Sequence, residues 1–139
     1  MKISARNQIK GIISNVKEGA VNGVVTIKLG EQEIKAGITM EAIKELELAE
    51  GKEAFAIVKA TNVMFASDKI VGISARNQLA GTVVKVTEGA VNGHVTIELG
   101  DGSRISGSIT NEAIELLELT EGKAAVAIIK ATDVIVGVE

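Results

Sequence analysis

The sequence predicts a mainly β protein made of two tandem five-stranded barrels, each with one short helix. Three observations support this fold class. The chain of 139 residues repeats itself, because residues 3–30 and 73–100 align without a gap and are identical at 19 of 28 positions. Val- and Ile-rich segments punctuated by Gly and Asn fill most of each repeat, as expected for strands. One further stretch in each repeat has its apolar residues at helical spacing.

The repeat extends to the end of the chain. After a one-residue insertion near residues 31–34, the segment 38–52 matches the segment 109–123. We therefore predict two domains, residues 1–67 and residues 68–139, joined by a short polar stretch.

Each predicted domain is small enough to need a partner. A domain of about seventy residues buries only about 60% of the surface of its unfolded chain and is marginally stable alone. The chain has no Cys, so disulfides and zinc–cysteine sites are excluded, and association is the remaining stabiliser. We expect an obligate oligomer whose halves pack with each other and with further copies.

The strands of the first repeat are predicted from their Val and Ile content. They cover residues 9–17, 23–29, 33–38 and 54–60. The pairs Asn22-Gly23 and Asn92-Gly93 are typical of hairpin turns. The order strand, strand, strand, helix, strand fits a barrel of the OB type whose long first strand bends at Gly11. A pair of small open sheets is the alternative.

The predicted helix spans residues 40–48 and begins after a plausible N-cap, Thr39. Gly51 lies just past its predicted C-terminal end. Thr110 and Gly122 repeat the arrangement in the second half. The helices carry or adjoin acidic residues whose expected role is to form a solvated face. These are Glu41, Glu45, Glu47 and Glu50, with Glu112, Glu115, Glu118 and Glu121.

Composition excludes several classes of function. Hydrophobic residues make up 46% of the chain, yet no apolar run approaches the roughly 18 residues of a membrane span. The net charge of −3 argues against a surface that binds polyanions. The first residues lack the apolar core of a signal peptide, so a cytoplasmic location is expected.

The residues needed for enzyme catalysis are missing from the pattern. No Gly-rich phosphate loop, HExxH motif or nucleophile elbow occurs, and no candidate nucleophile has an adjacent base. The single histidine, His94, aligns with Val24 in the other repeat, and we expect it to be a half-exposed strand residue rather than a ligand. The protein is predicted not to be an enzyme.

One group of cationic and hydroxyl side chains does suggest chemistry. In an extended chain alternate residues share a face, so Ser4 points the same way as Arg6, and Lys59 the same way as Thr61. These donors, with no acid among them, suit a small oxyanion with four oxygens. The second repeat carries the same set at Ser74, Arg76, Lys130 and Thr132. Solvated strand ends copied by recent duplication are the alternative interpretation.

A second repeated segment, residues 17–23 and 87–93, contains Glu-Gly-Ala-Val-Asn-Gly. Its small side chains and closely spaced backbone N–H groups could form an anion-binding concavity. An ordinary hairpin with an Asn-Gly tip explains the pattern equally well.

Taken together, the motifs "ISARNQ", "EGAVNG", "IT-x-E-A-I", "L-x-EGK" and "KAT-[ND]-V" resemble the Mop domain of molbindins and of molybdate-sensing parts of transporters and regulators. The resemblance covers nearly the whole chain, twice. It implies two OB-fold-like barrels of the Mop/TOBE type in a cytoplasmic homotrimer. It also implies binding of molybdate, and of tungstate comparably, for molybdenum storage and homeostasis, without an organic cofactor.

The resemblance further implies two classes of oxyanion site. In the first, the Ser-Ala-Arg-Asn segment of one domain meets the Lys-Ala-Thr segment of another. The matching residues are Ser4, Ala5, Arg6, Lys59, Ala60 and Thr61, with Ser74, Ala75, Arg76, Lys130, Ala131 and Thr132. In the second, the anion lies on a threefold axis. The matching residues there are Gly19, Val21 and Asn22, with Gly89, Val91 and Asn92.

Two other functions stay open at this stage. An OB-type nucleic-acid module would need aromatic stacking platforms and a basic groove, and two Phe without Tyr or Trp fit that poorly. A protein-interaction domain that binds no anion is the third possibility. Neither nucleic acid nor membrane is expected as a partner.

Overall fold

The computed structural model describes residues 1–139 and confirms the predicted fold class, since it is mainly β with two five-stranded sheets and one short α-helix in each repeat. The first repeat contains β1 (Asn7–Lys17), β2 (Asn22–Leu29), β3 (Gln32–Thr39), α1 (Met40–Glu45), β4 (Glu53–Val58) and β5 (Met64–Ala66). The second contains β6 (Asn77–Glu88), β7 (Asn92–Glu98), β8 (Arg104–Thr110), α2 (Asn111–Leu116), β9 (Ala124–Ile129) and β10 (Ile135–Gly137).

The two repeats exchange their last strands. The first sheet has the order β10-β4-β1-β2-β3 and the second has the order β5-β9-β6-β7-β8, so each is completed by an edge strand from the other repeat. One-turn 3₁₀ helices at Ala60–Asn62 and Ala131–Asp133 lead into the exchanged strands. Strand β10 lies close to β3 and β5 lies close to β8, without hydrogen-bonded pairing between them, so each sheet curls into a partly open barrel.

The structure corrects one predicted strand boundary. The strand predicted over residues 54–60 ends at Val58, and the chain then turns through the 3₁₀ helix instead of continuing in the sheet. Each exchanged strand is only three residues long, which is too short for an alternating pattern to reveal.

Both repeats share one hydrophobic core. A single cluster of 27 buried residues includes Ile13 and Ile34 of the first repeat together with Leu79 and Ile105 of the second. Two separate cores would each be small, and the shared core buries more of the aliphatic surface that drives folding. The repeats therefore stabilise each other within one chain.

Strand β1 serves both neighbours in its sheet. Residues 7–12 pair with β4 and residues 12–17 pair with β2, so the strand changes partner at Ile12. The predicted bend at Gly11 is adjacent to this change. A Cβ on Gly11 would lie 2.4 Å from the Lys28 carbonyl oxygen, so only glycine allows β1 to cross β2 this closely.

The pair Asn22-Gly23, predicted to form a hairpin turn, instead begins strand β2, and the loop consists of residues 18–21. The same holds for Asn92-Gly93 in β7. Gly23 is required for packing, since a Cβ there would lie 2.7 Å from Cδ1 of Ile43 on α1. Because Gly23 has no side chain, helix α1 can pack closely against the sheet.

Helix α1 begins as predicted, because the Thr39 hydroxyl accepts a hydrogen bond from the Ala42 N–H at 3.1 Å. It ends at Glu45, earlier than the predicted Leu48. Glu47 then adopts a left-handed conformation, with φ of 52°, at the position where glycine usually terminates a helix. The predicted terminator, Gly51, belongs to the following turn.

Replacing Glu47 and Glu118 by Gly is expected to stabilise the protein by about 0.5–1 kcal/mol per site. Both residues have positive φ, which strains any residue that carries a Cβ. The midpoint of urea unfolding should therefore rise. Glu50→Gly is the matched control, because Glu50 is also exposed but does not have positive φ. If Glu47→Gly lowered the midpoint as Glu50→Gly does, left-handed strain would not be the cause.

Candidate functional site

Strand register brings together the two cationic motifs of each repeat. Pairing of β1 with β4 places Asn7 opposite Val58, so the adjacent Arg6 and Lys59 leave neighbouring strand ends on the same side. In the second repeat Asn77 lies opposite Ile129, which places Arg76 next to Lys130 in the same way. Residues more than fifty positions apart thus meet because the first and fourth strands are antiparallel neighbours.

The first candidate site is a cavity of about 410 Å³. Six of its lining residues are those predicted from the first repeat: Ser4, Ala5, Arg6, Lys59, Ala60 and Thr61. The remaining walls come from Ile3 and from three residues of the second repeat, His94, Ser108 and Ile135. The cavity therefore lies between the two halves of the chain.

The second candidate site is a cavity of about 350 Å³ in the equivalent place. It is lined by the six predicted residues of the second repeat: Ser74, Ala75, Arg76, Lys130, Ala131 and Thr132. Ile73 and Met64 complete it, and Met64 belongs to the exchanged strand β5. The structure thus brings each predicted set of six residues into one cavity. The two motifs of each cavity come from the same repeat, whereas the resemblance implied that the motif of one domain meets that of another.

Positive charge in these cavities is not balanced within the chain. Arg6, Lys59, Arg76 and Lys130 are exposed and form no salt bridge, and no carboxylate lines either cavity. Two cations beside hydroxyl donors attract small anions and offer them charge-assisted hydrogen bonds. The arrangement has no paired acid and base that could perform catalysis.

The residues assigned to a threefold axis occupy two different environments. Gly19 and Asn22 line a third cavity, of about 340 Å³, together with Lys17 and Thr132. Val21 does not line it and is 72% exposed. Gly89, Val91 and Asn92 occupy the equivalent hairpin of the second repeat, where the Gly89 N–H donates to the Asn92 carbonyl at 2.9 Å. One chain alone does not bring the two groups into a common cavity.

Two buried asparagines position the cationic motifs, and sequence reasoning missed them. Asn7 is 2% exposed, and its amide accepts a hydrogen bond from the Ser106 N–H at 2.7 Å. Its Nδ2 donates to the Ser106 carbonyl at 2.8 Å and to the Val58 carbonyl at 3.1 Å. Each Asn follows directly after the motif arginine, so the clasp fixes where that arginine emerges. The sequence feature that could have revealed these asparagines is that Asn7 and Asn77 occur at the same place in both copies of "ISARNQ".

The second asparagine forms the reciprocal clasp. Asn77 accepts from the Lys35 N–H at 2.7 Å and donates to the Lys35 carbonyl at 2.8 Å. Strands β3 and β8 are thus each bound through their backbone by an amide from the other repeat. We refer to these two contacts as the asparagine clasps.

The remaining sequence features are the acidic residues of the helices, the single histidine, possible metal ligands and possible membrane spans. The acidic residues on and after the two helices are exposed, as expected. His94 is an exposed strand residue, and it also lines the first cavity. No cluster of three or more His, Asp or Glu side chains is placed to hold a metal ion. No helix is both long enough and apolar enough to cross a bilayer.

The fold and its cavities define a protein of two interlinked OB-like barrels with a pair of cationic cavities between them. The model of the TOBE domain matches residues 3–65 and 73–136, so the chain belongs to the TOBE domain family, in two tandem copies. The resemblance to tandem Mop-domain proteins inferred from the motifs is thereby confirmed at the level of family.

Curated relatives are similar along nearly the whole chain. The molybdenum transport protein ModE of Azotobacter vinelandii is 42% identical over 139 residues, which cover 99% of this chain and 52% of that protein. The molybdenum-pterin-binding protein MopA of Rhodobacter capsulatus is 38% identical over 137 residues, covering 97% of this chain and 52% of MopA. The chain therefore spans about half the length of these relatives.

A solved structure matches over the full length. The cytoplasmic molybdate-binding protein ModG, in a crystal form with molybdate bound, superposes with a TM-score of 0.95 at 48% sequence identity, covering 100% of both chains. The named relatives are binding and transport proteins rather than enzymes, in agreement with the prediction that the chain is not an enzyme.

Proposed function

We propose that the protein binds molybdate, and tungstate comparably, in the cytoplasm, and that it stores the oxyanion and buffers its concentration as a homotrimer. The observation that carries the proposal is the pair of equivalent cavities, each with one Arg, one Lys, at least two hydroxyl residues and no carboxylate. The molybdate-bound ModG structure supports the choice of anion, because its chain superposes along its whole length.

The donor set matches a tetrahedral dianion in charge and geometry. Arg6 and Lys59 together carry two positive charges, which balance the two negative charges of the anion. The guanidinium offers a planar fork of N–H donors, the ammonium offers three donors, and the hydroxyls of Ser4 and Thr61 complete the shell. Binding forms no covalent bond to the anion, so the protein returns it unchanged.

Assembly with further copies would complete the cavities. Their rims include exposed apolar side chains that a single chain leaves in water: Ile3 at 46%, Ile73 at 41%, Met64 at 45% and Ile135 at 53%. Covering this rim by another copy buries apolar surface and shields the bound anion from water, which strengthens its charged hydrogen bonds. A homotrimer would bring six barrels together in this way.

Molybdate is expected to raise the melting temperature by several degrees. A ligand at a hundredfold excess over its Kd stabilises the native state by about 2.7 kcal/mol per site. Differential scanning calorimetry with millimolar sodium molybdate checks this, with sodium chloride at equal ionic strength as the control. Elemental analysis of the purified protein, with its mass in solution measured alongside, tests the anion and the trimer together. Unchanged melting in molybdate would contradict the proposal.

A second candidate function uses the same cavities. The chain matches about half the length of the transcriptional regulator ModE of Yersinia pestis, so the two barrels would form the anion-sensing part of a longer regulator. The mass of the native gene product in a cell extract distinguishes the two, because a regulator would be about twice the length of this chain.

A further inference from the structure

The two cavities are not identical, because a histidine lines only one of them. His94 lines the Arg6 cavity, whereas the equivalent residue of the first repeat, Val24, carries no charge and lines the third cavity, with Gly19 and Asn22, instead of the Arg76 cavity. The donors taken from the repeated motifs are otherwise the same in both cavities. His94 is therefore the titratable difference between two duplicated sites.

His94 is on the outer face of the second sheet. It lies on β7 opposite Thr87 of β6 and Ser108 of β8, with Val95 on the other face buried in the core. Besides the Arg6 cavity, the imidazole lines an adjoining cavity of about 140 Å³ with Lys85 and Arg6. The His94 side chain thus lines two adjoining cavities.

All the other charged residues that line these two cavities are cations. The charged residues that line them are Arg6 from the segment before β1, Lys59 from the segment after β4, and Lys85 from β6. Strand β8 contributes the neutral Ser106 and Ser108, and no carboxylate is present. A protonated imidazole here has no acidic partner in the chain, and a dianion in the cavity would supply one.

We propose that His94 is a third cationic ligand of the Arg6 site, and that oxyanion binding there is coupled to uptake of a proton by His94. The Arg76 site, which no histidine lines, binds the same anion without that proton. This inference rests on the proposed oxyanion binding and adds a difference between the two sites.

The coupling follows from the charges. A bound dianion attracts the imidazolium and favours it over the neutral ring. Histidine is the side chain that most readily gains or loses a proton near neutral pH. By linkage, the protonated ring must in turn strengthen anion binding. For one fully coupled proton, the affinity of the Arg6 site changes by up to about tenfold per pH unit, increasing as the pH falls.

Isothermal titration calorimetry measures the proton directly. The full chain is titrated with sodium molybdate at one pH near 7 in buffers of different ionisation enthalpy, and the slope of the apparent enthalpy against that enthalpy counts the protons taken up. We expect uptake of up to one proton at the Arg6 site and none at the Arg76 site. Repeating the titration from pH 6.5 to 8, where molybdate remains a dianion, should show one class of site weakening while the other stays constant.

Two variants separate a ligand role from a structural one. His94→Val installs the residue found at the equivalent position and should abolish proton uptake and the pH dependence with stoichiometry unchanged. His94→Lys supplies a permanent charge and should keep tight binding at pH 8, also without proton uptake. The anion-binding Arg76 site is the internal control in both.

The outcomes are distinguishable. Molybdate binding with no proton uptake, or uptake that persists in His94→Val, overturns the inference and leaves the proposed function standing. Absence of molybdate binding at every pH overturns both.

Discussion

Replacing Arg6 and Arg76 together by Ala is expected to remove most oxyanion binding while leaving a folded protein. Each guanidinium supplies a planar fork of charged donors that the lysine of its cavity does not offer, and each hydrogen bond to a charged group contributes about 1.5–3 kcal/mol. Affinity at each site should therefore fall by roughly one to two orders of magnitude. Both side chains are exposed, so their truncation should leave the core intact. Titration calorimetry with molybdate, accompanied by circular dichroism, makes the measurement.

The chain offers an internal control for this experiment. Arg104 is also exposed, but it is paired with Glu98 at 3.0 Å and lines neither cavity. Arg104→Ala should bind like the unmodified protein, which separates a local effect from a general loss of positive charge. The single change Arg6→Ala should weaken one class of site only. Full stoichiometry and affinity in the double variant would remove the arginines from the site.

Loss of the asparagine clasps is expected to produce the largest change in stability. In Asn7→Ala the N–H and carbonyl of Ser106 lose their amide partner in a part-buried position, and each unsatisfied group costs about 1–3 kcal/mol. Each single variant should lose about 2–4 kcal/mol. Asn77→Ala breaks the clasp on Lys35, which shares no partner with the first, so the two losses should nearly add. Urea unfolding followed by circular dichroism measures the difference.

Gln32 provides the matched comparison for the clasps. Its side-chain amide forms the same two-bond pairing, with the N–H and carbonyl of Ala80 at 2.9 and 2.8 Å, but in an exposed position where water can replace it. Gln32→Ala should therefore cost less than about 1 kcal/mol. If Asn7→Ala cost no more than Gln32→Ala, burial of the clasp would not matter to the fold.

Local sequence patterns were sufficient where the structure is local. Val and Ile content located the long strands, and Thr39 was correctly predicted to cap its helix. The cationic and hydroxyl residues of the two cavities could be predicted because both motifs occur twice, at the two ends of each repeat, whereas the alanines beside them were implied only by the resemblance to the Mop domain. The proximity of the two motifs depends on antiparallel neighbours, which an OB-type strand order implies.

Features that depend on tertiary contacts could not be predicted in this way. The exchanged strand β5 is three residues long and its partner β9 lies in the other repeat, so neither periodicity nor spacing indicates it. Gly23 has the sequence signature of a turn, but it is selected by the close approach of α1. Asn7 is a polar residue typical of surfaces, and only its partners on β8 explain why it is buried.

The crossing of the last strands makes the chain, in effect, a fused pair of interlocked subunits. A polypeptide with a single repeat would lack the edge strand that the other repeat supplies, and its own last strand would have no partner. Two such polypeptides would therefore complete each other in the same arrangement. Cleavage of the connecting segment between Ala66 and Asn77 would leave two fragments still held by their reciprocal strands. The covalent link therefore sets which two units pair, one to one, and the folding of either half depends on the synthesis of both.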